Sequence, residues 1–215
     1  MPKRATRAAA KRRAIEPADI CRLVDTADPR LSPRGESVAY VVTTLDADAN
    51  EYRSRIWVAA TDASSAPRPF TAGTQRDRLP RWSPDGTQLA FVSHREEKGS
   101  QLYVLPVGGG GEAVPLATWP EEIDALEWTP DGRQLVFGAR QRDEERYGKS
   151  KAKDQPPRRI NRLFYRLDSV GWTVDRPHHL FAVPSDASAK PRALTSGPLP
   201  YNGLSMAPDG TCRRG

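Results

Sequence analysis

Apolar positions along the chain fall into short, nearly continuous runs separated by turn residues. Ser37-Val38-Ala39-Tyr40-Val41-Val42, Gln88-Leu89-Ala90-Phe91-Val92-Ser93 and Gln134-Leu135-Val136-Phe137-Gly138 are β-branched and aromatic rather than cleanly alternating. Such runs predict strands buried on both faces. Each leaves a turn motif: Ser32-Pro33-Arg34-Gly35, Ser83-Pro84-Asp85-Gly86 or Thr129-Pro130-Asp131-Gly132. Pro fixes φ at the first central position of a type I turn, Asp suits the second, and Gly supplies the left-handed residue that follows. Each motif therefore predicts a hairpin with a bulge.

A fourth motif, Ala207-Pro208-Asp209-Gly210, completes a series whose glycines are 51, 46 and 78 residues apart. The first two intervals match the repeat of a four-stranded propeller blade. A third strand follows in each unit: Arg55-Ile56-Trp57-Val58-Ala59-Ala60, Gln101-Leu102-Tyr103-Val104-Leu105-Pro106 and His179-Leu180-Phe181-Ala182-Val183-Pro184. A short fourth segment closes it: Pro67 to Thr71, Ala113 to Ala117 and Pro191 to Thr195. The fold class expected is all-β, an incomplete β-propeller of TolB/WD40-like four-stranded blades. Blades are expected at about 28–73, 74–118 and 119–195, with a fourth begun over 196–215. A β-sandwich with hairpin turns is the competing architecture, and sandwiches rarely repeat their sequence. Residues 14–27 read as a short helix or an extended lead-in.

The long third interval places an insertion at 140–177 in the third blade. Arg140 to Arg159 is charged and nearly free of apolar residues, so an exposed mobile loop is expected. Ile160 to Asp168 alternates apolar with polar residues and predicts a strand of an extended hairpin. Residues 140–166 hold ten basic and four acidic side chains. A basic, aromatic-interleaved loop is one way to touch RNA; a solvated loop over the propeller face is the preferred reading.

Charge alters this picture little. The net charge is +6, and Lys3, Arg4, Arg7, Lys11, Arg12 and Arg13 account for all of it. The excess is a tail, expected over 1–15 as a disordered basic terminus, and neither nucleic acid nor a membrane is expected as a partner. No apolar h-region follows the tail, and no run approaches a membrane span. A cytoplasmic location is expected. Cys21 and Cys212 form no disulfide framework, and His94, His178 and His179 lack metal-ligand spacing. Neither metal nor cofactor is expected. Gly148-Lys149-Ser150 lacks the earlier glycine of a phosphate-binding loop, since that place is Asp143. Gly35 to Ala39 and Gly203 to Ala207 are near misses to a nucleophile elbow, with no helix following. No catalytic residue is assigned.

Trp82-Ser83-Pro84-Asp85-Gly86 followed by Leu89-Ala90-Phe91 resembles the propeller repeats of the prolyl oligopeptidase family of serine peptidases and of TolB-like proteins. Asn161 to Asp168, Gly171-Trp172 and Pro177-His178-His179-Leu180-Phe181-Ala182-Val183 resemble the third-blade extension of acylaminoacyl-peptidase and dipeptidyl-peptidase relatives. Glu16 to Ile20 and Asp28 to Pro33 are similar to the start of those propellers. The resemblance implies an N-terminal propeller that caps a C-terminal α/β-hydrolase domain and admits short peptides by size. That domain, which would supply Ser, Asp and His, is the partner implied, and the chain alone is expected to be inactive. Tyr165 and Arg166 are the candidates to line the substrate cavity or a subunit contact. After Asp209-Gly210 the pattern demands an apolar strand, but Thr211-Cys212-Arg213-Arg214-Gly215 follows, so the chain is expected to be truncated. An open arc of blades exposes strand edges that closed propellers hide, so poor solubility or oligomers are expected. The alternative function is a non-enzymatic TolB/WD40-like scaffold for protein partners.

Overall fold

The computed structural model describes residues 13–72, 75–96, 99–108, 111–148, 154–161, 163–201, 203–207 and 212–213. The basic tail expected over 1–15 lies outside these except for Arg13, Ala14 and Ile15. The Arg13 Nη1 donates to Asp19 Oδ2 (2.8 Å), beside a 3₁₀-helix at Pro17–Arg22. Pro17 opens that helix with its missing N–H, and Asp19 accepts from the Glu16 amide (2.9 Å).

Three four-stranded antiparallel sheets follow. The first contains β1 (Val24–Leu31), β2 (Ser37–Asp46), β3 (Glu51–Ala60) and β4 (Arg68–Pro69), paired in that order. Its inner strand thus begins at Val24, within the segment expected to lead into it. The second contains β5 (Arg78–Trp82), β6 (Gln88–Ser93), β7 (Ser100–Pro106) and β8 (Val114–Trp119). The third begins with β9 (Ile123–Trp128) and β10 (Gln134–Arg140). A one-turn helix, α1 (Glu144–Tyr147), and a small hairpin of β11 (Arg166–Leu167) and β12 (Gly171–Trp172) come next. The sheet resumes with β13 (His178–Pro184) and β14 (Arg192–Ala193). A further hairpin, β15 (Ser205–Met206) with β16 (Cys212–Arg213), begins the next blade.

The turn chemistry acts as the motifs predict. The amides of Gly35, Gly86 and Gly132 donate to the carbonyls of Ser32, Ser83 and Thr129 at 2.8, 2.9 and 2.9 Å, and all three glycines have φ near +70°. Ser32, Ser83 and Thr129 also accept from the amide five residues on through their hydroxyls. The fourth motif falls mostly outside the described residues. Successive turns abut around the axis: a Cβ on Gly86 would stand 3.4 Å from Pro33, and one on Gly132 3.6 Å from Pro84.

Strand β6 shows why its run is continuous. Leu89 and Phe91 pack with Ala39, Ile56 and Val58 of the first sheet. Ala90 and Val92 face the opposite way, into a cluster with Leu126, Leu135, Phe137 and Phe181 of the third. Burying a side chain of this kind contributes about 1.5–3 kcal/mol, so the central sheet is held from both sides. Trp119, at the end of β8, lies over the third sheet with its ring 4.3 Å from Phe181 and 5.5 Å from Phe137. The inner strands are joined as well. The Trp82 indole donates to the Arg30 carbonyl (2.9 Å), and the Trp128 indole to the Arg81 carbonyl (2.9 Å). The Arg81 guanidinium, buried, reaches Asp28 in β1 and both Leu126 O and Glu127 in β9.

Candidate functional site

The loops between blades, and those between second and third strands, gather charged side chains at one end of the sheets. Asp77 is buried and accepts from Ser93 Oγ (2.6 Å) and Arg95 Nη2 (3.4 Å). Glu122 pairs with Arg78 and with His94 Nε2 (2.8 Å). Burial alone would raise the Glu122 carboxyl, but the bond from His94 and the Arg78 charge outweigh it and hold it below the usual carboxylate range.

Ser100 Oγ also approaches His94 Nε2 (3.3 Å) and Glu122 (3.4 Å). This is not a catalytic triad. A triad needs the acid on one ring nitrogen and the nucleophile on the other, whereas here both meet Nε2 and the buried His94 Nδ1 has no hydrogen-bond partner among the described residues. Ser100 is fully buried and accepts from the Ile123 amide (3.3 Å). Its hydroxyl is part of the packing between blades.

The charged part of the third-blade extension, expected as an exposed mobile loop, is largely exposed among its described residues, and two buried carboxylates tie several of its arginines to the blade. Asp175 accepts from Arg158 Nε (2.7 Å) and the Tyr147 hydroxyl (3.0 Å), and pairs with the buried Arg146 (3.1 Å). Glu121, from the loop between blades, accepts from Arg142 and from Arg176 Nη1 (2.7 Å). The Asp143 side chain caps α1 by accepting from the Glu145 amide (2.9 Å). Among the described residues of the alternating segment 160–168, strand pairing occurs at Arg166–Leu167, opposite Gly171–Trp172. His178, also buried, brings both ring nitrogens to acceptors: Nε2 to Asp124 (2.8 Å) and Nδ1 to the Tyr201 carbonyl. Gly138 makes room for that ring, since a Cβ there would lie 2.8 Å from His178 Cε1.

Tyr165 and Arg166 are brought together on Trp172. The Tyr165 ring is 5.7 Å from it, and the Arg166 guanidinium stands 5.8 Å from its centroid. Beside them is a pocket of about 390 Å³. Leu163, Phe164 and Leu167 of the extension form one side, and Leu199 and Pro200 of the following linker form another. Arg140, the last residue of β10, completes the wall, its carbonyl held by the Trp119 indole (2.9 Å). Sequence reasoning missed Arg140, Asp175 and Glu121. Among the described residues no group of three or more His, Cys, Asp or Glu is placed to hold a metal ion, and no described helix is long and apolar enough to cross a membrane.

Sequential four-stranded sheets, adjoining inner strands and a recurrent Ser/Thr-Pro-Asp-Gly turn define part of a β-propeller. The chain resembles the N-terminal propeller portion of prolyl oligopeptidase-type serine peptidases, of the acylaminoacyl-peptidase and dipeptidyl-peptidase kind. It is 32% identical over 196 residues to the uncharacterized peptidase YuxL of Bacillus subtilis (strain 168), a match that takes in 89% of this chain and 29% of that one. Among solved structures, the acylaminoacyl peptidase of Pyrococcus horikoshii superposes with a TM-score of 0.63 at 20% identity, over 81% of this chain and 25% of its own. The putative TolB of Agrobacterium tumefaciens gives 0.52 at 18% identity, over 85% of this chain and 54% of its own. These two likenesses are of fold. The chain spans less than a third of the curated relative's length. No family model matches it.

Proposed function

We propose that the chain is the propeller portion of a serine exopeptidase acting on short peptides. In this reading it caps an α/β-hydrolase domain that supplies Ser, Asp and His, gates substrates by size, is inactive by itself and works in the cytoplasm. The observation that carries the reading is the 32% identity to a peptidase over 89% of the chain. It is supported by the extension, whose described arginines pair with two buried carboxylates at one end of the third blade. Tyr165 and Arg166 then stand on Trp172 next in sequence to the lining residues Phe164 and Leu167, and are not themselves among the residues lining the pocket.

Reading the genomic DNA past codon 215 in all frames tests this. A Gly-x-Ser-x-Gly elbow followed by Asp and then His is the expected result. A run of further blades ending in a stop would overturn it in favour of a non-enzymatic scaffold.

A further inference from the structure

Among the described residues, the pocket beneath the extension has apolar walls and one cation. Leu163 and Phe164 are 83% and 72% exposed, so apolar side chains at its mouth face solvent. Arg140 is the charged residue lining it. Its neighbours Arg142, Arg146, Arg158 and Arg176 each hold Glu121 or Asp175. Arg140 instead donates Nη1 to the Arg176 carbonyl (3.0 Å), and no carboxylate among the described residues stands within ion-pair distance of it. Burial and then the Arg176 charge push its pKa down, and the more distant Asp124 and Glu121 carboxylates offset only part of this. An arginine nonetheless keeps its charge. A partly desolvated guanidinium with no described carboxylate in contact carries a cost that a bound carboxylate would reduce. The larger cavity on the other side of the extension, about 720 Å³, is lined by Glu144 and Glu145 as well as Arg142 and has no such imbalance.

The volume decides the size of the ligand. About 390 Å³ is at the small end for ligand sites, enough for the end of a peptide and too little for a folded element. We propose that this pocket binds the C-terminal end of a short peptide, its apolar side chain among Leu163, Phe164, Leu167 and Leu199 and its carboxylate on the Arg140 guanidinium. The planar fork of donors suits a carboxylate better than a neutral amide, and its charge repels an ammonium group. The assignment deepens the reading of the extension as substrate-facing and rests on it.

Calorimetric titration of the 215-residue chain with N-acetyl-Leu-Phe, with its C-terminal amide and with decanoate provides the test. The free acid is expected to bind at least about tenfold more tightly than the amide. Arg140→Gln should remove that preference, and Arg140→Lys should keep part of it. Leu163→Asp alters an exposed position, so the fold stays intact, and it should abolish binding of acid and amide alike. Equal binding of acid and amide, no binding of the acid at about 1 mM, or tighter binding of decanoate than of the peptide would each overturn the proposal. The last outcome would make this an acyl-chain site. Absence of a downstream hydrolase frame would sink the peptidase reading and leave these titrations standing, whereas absence of binding would sink the pocket alone.

Discussion

Asp85 shows how much one turn residue carries. Its carboxylate accepts from the Ser83 hydroxyl (2.5 Å) and from the Thr87 amide (3.1 Å) and hydroxyl (2.8 Å). The Ser83 bond first, and then those from Thr87, bring its pKa down to about 2, against about 3.9 in an unfolded chain. The unfolded state therefore takes up the proton first as pH falls. The stability these bonds give is complete above roughly pH 4 and is lost as pH drops through about 2. Urea midpoints measured between about pH 2 and 4 should fall more steeply for the native chain than for Asp85→Asn, and equal slopes would contradict this account. Such residues were legible in the sequence because turn chemistry is local: Pro, Asp and Gly set φ and the short bonds within four residues. Arg140 was not legible. Its apolar surroundings come from 163–167 and 199–200, and the distance that keeps Asp124 and Glu121 out of ion-pair contact with it is a fact of three-dimensional placement.

Among elements, the second sheet was the most legible, since an apolar run without alternation can only be satisfied by partners on both faces. The extension was the least. Its Arg, Lys and Glu content reads as solvated chain, and nothing local announces that Asp175 will meet Arg158 and Tyr147, or that Glu121 will meet Arg176 from 55 residues away. Alternation over 160–168 does not name its partner, and among the described residues it pairs at Arg166–Leu167 with Gly171–Trp172. The clamp has a measurable signature. Asp175→Asn leaves Arg146 and Arg158 facing a neutral amide, and amide exchange at Arg146, Tyr147 and Gly148 should accelerate by about tenfold or more. Exchange in β10 and β13 should remain as it was. Uniform acceleration through the third sheet would show instead that the clamp stabilises the blade itself.

Across the whole molecule, packing is uneven. The core is densest between the second and third sheets, while Val24, Leu31 and Tyr52 of the first sheet remain largely exposed. Closed propellers cover such surfaces with the next blade. The 215-residue chain is therefore expected to self-associate with concentration, as read by sedimentation equilibrium, and to bind a hydrophobic dye. A monomer with a sharp, reversible thermal transition would contradict this. The repeat made the blade order plain from the sequence. The indole-to-carbonyl links of Trp82 and Trp128 needed coordinates, because nothing in a tryptophan's sequence context names the carbonyl it will find.

The pairing of β10 with β13 runs unbroken from Gln134 opposite Pro184 to Arg140 opposite His178, although all of 141–177 departs and returns between them. A blade can thus open at this corner, accept a long stretch of foreign chain and close again in register. The matching corner at 47–50 joins the second and third strands of the first blade, and a grafted peptide or reporter is expected to be accepted there with the flanking strands still in register.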